Sequence, residues 1–304
     1  MYEMRTDTPS GDTWTLHSKA EHWPALWRDV EEPPDLVRGS GDPGALRQPA
    51  IAIVGTRRAS ARGVAVARRL AADLSRAGWA IVSGLALGID AAAHAGALEV
   101  DGVTVAVMAT GVDRTYPAGH VELRRRIERR GCVVTEAADG GAPLPFLFPR
   151  RNRLVSGLAL GVIVVEAPLR SGAMSTAIHG LDQGREIFAV PGPVDVDGCR
   201  GCHHLLKQGA HLVERAGDVI DVLGRPSGAA PEPGEPPAEM LPVAGSTARW
   251  IWDRLDLTGL RLSELRKRWA GTEDIWHEGL LALEMAGLIV RLPGGGIARK
   301  IWIP

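Results

Sequence analysis

Between residues 50 and 213, short apolar runs alternate with amphipathic stretches. The runs at 51–54, 79–82, 104–108, 132–134, 162–165, 187–190 and 211–213 are nearly continuous in hydrophobic residues, and the first is rich in β-branched side chains. Strands buried on both faces read this way, whereas a strand with one wet face alternates apolar and polar positions. The segments between them predict helices at 63–77, 90–100 and 121–130, the last strongly basic. Strands and helices in alternation predict a doubly wound parallel sheet, an α/β fold of the extended Rossmann-like kind.

The flanks read differently. Residues 1–49 are rich in Pro, Gly and Trp and predict an irregular N-terminal arm, with a glycine turn at 39–44, leading into a domain over 50–223. Residues 224–245 include Pro231-Glu232-Pro233-Gly234-Glu235-Pro236-Pro237, a composition unable to support a core, and predict a linker. Beyond it lie three short helical patterns at 247–256, 262–269 and 275–285. Two apolar runs then flank Pro293-Gly294-Gly295-Gly296, a hairpin signal. Three helices and a hairpin over 246–304 predict a small winged-helix domain.

Charge changes the picture by exclusion. The 35 Lys and Arg balance 36 Asp and Glu, so any site for nucleic acid must draw on locally concentrated positive charge. Nearly all the basic residues are arginine, which suits bidentate phosphate contacts. Three cysteines are too few for a disulfide framework and fit a reducing compartment. With no apolar stretch at the start and no run long enough to span a membrane, a soluble cytoplasmic protein is expected.

Candidate chemistry clusters after the strands, where ligands of open α/β sheets sit. The first strand ends in Gly55-Thr56-Arg57-Arg58-Ala59-Ser60. Gly55 lets backbone amides approach a phosphate, the next helix offers its positive N-terminus, and Arg57 or Arg58 is expected on phosphate. A dinucleotide site is poorly supported, because no Gly-x-Gly-x-x-Gly follows and the second strand ends in Val82-Ser83-Gly84 without an acid. Asp90 and His94 share a helical face, but no Gly-x-Ser-x-Gly elbow accompanies Ser83, so capping and packing are expected rather than catalysis. The sharpest cluster is Phe146-Leu147-Phe148-Pro149-Arg150-Arg151-Asn152-Arg153. Arginines neutralise phosphates and rings supply faces for unpaired bases. Ser171 and Gly172 open another helix as an anion cradle; Glu166 could be a catalytic acid or could orient an arginine such as Arg153 or Arg170, and the orienting role is expected. Cys199-Arg200-Gly201-Cys202-His203-His204 has the look of a metal cluster, yet the second ligand pair of a structural zinc site is missing, so no metal is expected.

These segments together resemble the DNA-processing protein A (Smf) family. The matching pieces are IAIVGTRRAS, SGLALGIDAAAHAGAL, GVDRTYP, FPRRNRLVSGL, VVEAPLRSGAMSTA, GREIFAVPG and LLKQGAHLV, in the family's order, with ALEMAGLIVRLPGG resembling its C-terminal winged helix. The resemblance implies a Rossmann-like fold without a nucleotide cofactor. It also implies single-stranded DNA binding, homodimerisation and loading of the recombinase RecA in natural transformation, without enzymatic activity. By motif position, Gly55, Thr56, Arg57, Arg58, Ser83 and Gly84 would meet DNA, as would Phe148, Arg150, Arg151, Asn152, Arg153, Ser171 and Gly172. Ala118 stands where members often carry a basic residue after Tyr-Pro. The second hypothesis is a nucleotide-processing enzyme resembling phosphoribohydrolases, although RSGAMSTA lacks their Pro-Gly-Gly-x-Gly-Thr segment. A third makes the protein chiefly a scaffold.

Overall fold

The computed structural model describes residues 13–20, 23–226, 240–255, 260–292 and 296–299. Its contacts divide the chain into two compact units, 1–230 and 231–304. The division falls inside the expected linker, of which 227–239 lie outside the described residues.

The first unit is built on a nine-stranded sheet of order β1-β2-β6-β5-β4-β3-β7-β8-β9. β3 (Ala50–Val54), β4 (Ala80–Ser83), β5 (Thr104–Val107), β6 (Cys132–Thr135), β7 (Gly161–Val164), β8 (Glu186–Ala189) and β9 (His211–Leu212) run parallel. Between β3 and β9 the chain carries α1 (Ala61–Arg76), α2 (Ile89–Glu99), α3 (Val121–Arg130), α4 (Leu147–Gly157), α5 (Gly172–Asp182) and α6 (Arg200–Lys207); α7 (Ala216–Leu223) follows. Both sheet faces are covered, as the apolar runs required. In β5, Val105 and Val107 join one core, whereas Ala106, with Met108 just past the strand, joins another with Ile127 and Val133. Alternate residues of a strand point to opposite faces, so two cores on one strand mean two covered faces. Strand order runs outward in both directions from β3, so β3 and β7 flank the topological switch point, where a crevice opens beyond the strand ends.

The N-terminal arm is a correction to the sequence reading. β1 (Thr13–His17) and β2 (Leu36–Gly41) pair with each other, and β2 extends the sheet antiparallel to β6. The expected glycine turn is partly strand: a Cβ on Gly39 would collide with the Trp14 indole, whose Nε1 donates to Gly41 O at 2.8 Å. Trp23, Trp27, Val30 and Val37 belong to the main core, and Trp27 Nε1 donates to Leu154 O at 3.1 Å. Glycines and prolines masked strand periodicity there, while tryptophan packing supplied what propensity lacked.

In the second unit α8 (Thr247–Trp252), β10 (Leu260–Arg261), α9 (Leu262–Lys267), α10 (Glu273–Met285), β11 (Ile289–Leu292) and β12 (Gly296–Arg299) follow in order, with the sheet ordered β10-β12-β11. Its core holds Ile251, Trp252, Leu265, Trp276, Leu280 and Leu283. Of the expected hairpin turn at 293–296, residues 293–295 lie outside the described residues. Among the described residues no helix is long and apolar enough to cross a membrane.

Candidate nucleic-acid interface

A cleft of about 570 Å³ opens beyond the carboxyl ends of β3, β4 and β7. The segments that build it are distant in sequence. The loop after β3 brings Gly55, Thr56, Arg57 and Arg58; the turn after β4 brings Gly84 and Ala86; α4 brings Phe148, Arg151 and Asn152; and the start of α5 brings Ser171 and Gly172. Three arginines against Asp90 make its lining positive within a charge-balanced chain.

The β3 loop is held from below. Thr56 N donates to Glu166 O at 2.7 Å, and Thr56 O accepts from Ile89 N at 3.3 Å. Gly55 is required because a Cβ would meet Ile89 and the Glu166 carbonyl. Arg57 and Arg58 are exposed. The Arg57 guanidinium lies over the Phe148 ring, 4.9 Å from its centroid, and Phe148 packs against Tyr116 at 5.6 Å and an angle of 49°. The other arginines near this loop face elsewhere: Arg62 donates to Pro191 O, Arg69 donates to Glu214 O, and Arg68 pairs with Glu99.

Arg151 is 6 % exposed and forms part of the floor. Its Nη1 donates to Gly84 O at 2.7 Å and to Val107 O, drawing the ends of β4 and β5 together. Burial lowers its pKa to about 10, and the nearby Asp90 carboxylate works in the opposite direction. Even so lowered, the guanidinium is charged at neutral pH. Burial raises the pKa of Asp90, opposed by Arg151 and by the amides of Ala86 and Gly84; its carboxylate accepts from Gly84 N at 3.1 Å and Ala86 N at 3.4 Å. His94 is fully buried and bonds Thr104. Asp90 thus organises the turn after β4 at the cleft lining, and His94 the core behind it.

At the opposite wall, Ser171 caps α5 by accepting from Met174 N, and Asn152 Nδ2 donates to Gly172 O at 3.1 Å. The first turn of a helix presents amides without intrahelical acceptors, so this wall suits an anion.

Three candidates fall outside the cleft. Ser83 is fully buried and its hydroxyl donates to Ile53 O, tying β4 to β3. Arg153, 4 % exposed, makes a two-pronged pair with Glu136 at 3.0 and 2.8 Å and donates to the carbonyls of Glu31 and Glu32. It anchors the N-terminal segment to α4. Arg150 is exposed but leans on Glu136 at 3.4 Å. On an α-helix, consecutive residues diverge by about 100°, so Arg150, Arg151 and Arg153 could not share one face.

Glu166 is a further correction. Among the described residues no arginine pairs with it: its carboxylate accepts from Ser60 N at 2.9 Å and from the Ser60 hydroxyl, at the N-terminus of α1. The helix end expected to face phosphate is thus satisfied by the protein's own acid. In the Cys-His segment, Cys202 donates to Val164 O and His203 bonds Gly192 O, so these polar atoms serve the local backbone. Sequence reasoning omitted Tyr116 from the site; its only signal was its place in the GVDRTYP motif.

Comparisons with known proteins bear on the family and the fold. The model of the family described as DNA recombination-mediator protein A matches residues 14–224. A Mycobacterium tuberculosis relative bearing the DNA processing protein DprA name is 42% identical over 252 residues; these cover 82% of this chain and 62% of that relative. The X-ray structure of DNA processing protein A from Streptococcus pneumoniae superposes with a TM-score of 0.67 at 37% identity, covering 69% of this chain and 74% of that one. DNA processing protein A from Helicobacter pylori, whose structure is described for its single-stranded DNA binding mode, gives a TM-score of 0.63 at 29% identity over 70% of this chain and 96% of that one. By its matched length, its relatives and its fold, the chain belongs to the DNA recombination-mediator protein A family.

Proposed function

We propose that this chain binds single-stranded DNA in the cleft beyond β3, β4 and β7 and delivers it to the recombinase RecA, acting as a homodimer in DNA processing during natural transformation. The observation that carries the reading is the pairing of exposed Arg57 with Phe148 at the mouth of a positive cleft. A cation beside an aromatic face suits a strand that offers phosphates and unstacked bases together. A duplex keeps its bases stacked and unavailable to the ring. The Helicobacter pylori protein, described for its single-stranded DNA binding mode, supports the same class of ligand.

The reading needs no cofactor and no catalytic group. The carboxylate of Glu166, an acid considered for catalysis, lies outside the cleft lining and is engaged by Ser60. We assign residues 246–304 to a winged-helix module joined to the Rossmann-like domain by the proline-rich linker. The deciding experiment measures affinity for single- and double-stranded oligonucleotides of the same sequence across a salt series. Preferential, salt-sensitive binding of the single strand is expected; equal affinity for both forms at physiological salt overturns the reading.

A further inference from the structure

The loop between β5 and α3 carries Tyr116 into the cleft wall, and an unusual amount of buried polar structure serves that loop. Arg124, on the buried face of α3, is 3 % exposed. Its Nε donates to Glu128 Oε1 at 2.8 Å, one helical turn away. Its remaining donors reach back into the loop: Nη2 to Val112 O at 2.6 Å, and Nη1 to Arg114 O at 3.2 Å and Thr115 Oγ1 at 3.3 Å. Asp113 Oδ1 accepts from Gly140 N at 2.8 Å, linking this loop to the one before α4. Past the loop, His120 Nδ1 bonds Leu85 O at 3.0 Å. Tyr116 therefore projects from a loop fastened on both sides, and its ring meets Phe148 5.6 Å away in the same cleft.

Burying a guanidinium and a carboxylate is costly unless each hydrogen bond is met, and a well-packed apolar pair could fill the same space. Here the arrangement does something an apolar pair could not: a planar fork collects the loop carbonyls and fixes their positions. We propose that Tyr116 is a base-stacking residue of the cleft, forming with Phe148 a wall of two rings, and that Arg124 is the positioning residue that presets it. The proposal rests on single-stranded DNA being the ligand of this cleft. A ring held in place before binding loses little side-chain entropy when a base stacks on it, which favours affinity without adding a charge.

The test uses the full chain, an oligonucleotide carrying 2-aminopurine, whose fluorescence is quenched on stacking, and a salt series. Tyr116→Leu is expected to weaken binding about 5- to 150-fold, the equivalent of one stacked base. Its salt slope stays that of the unaltered protein, and the quench diminishes; Tyr116→Phe recovers most of both. Arg124→Lys keeps the charge beside Glu128 but loses the fork, and should weaken binding and quenching with the slope unchanged. Thr115→Val removes a single acceptor of the clamp and serves as the milder variant should Arg124→Lys fold poorly, each variant being assayed well below its melting temperature. The Arg124→Lys/Tyr116→Leu double variant should bind no worse than Tyr116→Leu alone, because a lost ring cannot be mispositioned. Additive losses overturn the positioning role. Unaltered binding and quenching by Tyr116→Leu overturn the stacking role while leaving the cleft's ligand standing. Failure of the unaltered protein to bind the single strand overturns the assignment of the ligand itself.

Discussion

The Arg57 guanidinium lies 4.9 Å from the centroid of the Phe148 ring, so the cation and the aromatic face at the mouth of the cleft share one position. Such a contact is worth about 0.5–1 kcal/mol at an exposed site. A phosphate is a stronger partner for the arginine, and a base is a stronger partner for the ring. On the proposed binding mode, a strand entering the cleft would exchange one weak internal contact for two external ones.

Removing either partner should leave a different trace. On the proposed binding mode Arg57→Ala loses a phosphate contact, so affinity should fall for every sequence and the salt slope should flatten by about 0.7. Phe148→Ala loses a stacking face worth about 1–3 kcal/mol per base, and its slope should hold. Affinities at four or more salt concentrations, with a melting curve for each variant, check this. A steep slope that survives Arg57→Ala removes that arginine from the interface.

Arg153 should behave as a structural residue although it stands in the same basic run. Arg153→Ala strips Glu136 of its two-pronged partner and frees the carbonyls of Glu31 and Glu32. The expected cost is on the order of 3 kcal/mol of fold stability, the usual consequence of breaking a buried pair from one side. Denaturant unfolding measures the cost; salt titration of binding by the folded fraction should give the slope of the unaltered protein.

Glu166→Gln separates capping from catalysis. The change removes a negative charge from the N-terminus of α1 and weakens the Ser60 contacts, at a cost of about 1 kcal/mol. Neither the unaltered protein nor the variant should hydrolyse ATP, NAD or nucleoside monophosphates. Turnover by the former that vanishes in the latter would hand the acid a catalytic role.

His94 should make the fold acid-sensitive. Thr104 Oγ1 donates to Ile81 O at 2.8 Å, so it accepts from His94 Nδ1, which must carry the proton. Nε2 is then the bare nitrogen, buried and without a partner. Burial, with His120 and Arg151 nearby, lowers the pKa from 6.5 to about 3. Between those values the unfolded chain takes up a proton that the folded chain refuses. Stability should therefore fall as pH drops below about 6.5, and continue to fall toward 3. Asp90, with a raised pKa, contributes the opposite slope above its ordinary carboxylate range, because the folded chain holds that proton more tightly. Melting temperatures of the unaltered protein and His94→Leu at pH 7.5 and 5 test the assignment: the variant should lose less on acidification, and equal losses would clear His94 of the effect.

Much of the architecture was legible in the amino-acid order alone. The continuous apolar runs from 51–54 to 187–190 required a sheet buried on both faces, and β3 to β8 lie within a residue or two of them. The reason is local: period and burial are written into each segment independently of its neighbours. The glycine after β3, the aromatic-arginine run on α4 and the capping serine of α5 were likewise visible, because each is a short segment with its own chemistry. Tertiary structure alone decided which atoms of those segments face the same space. It sent Arg151 to the cleft floor and Arg153 to Glu136, since helical rotation, which the run of letters does not display, separates them. It gave Glu166 to Ser60, 106 positions away, and set Tyr116 against Phe148 through a clamp from α3. It also recruited Trp14 and Gly39 into a strand pair that propensity argues against. These outcomes depend on contacts between residues remote in the chain, whose energies exist only once the sheet has brought them together.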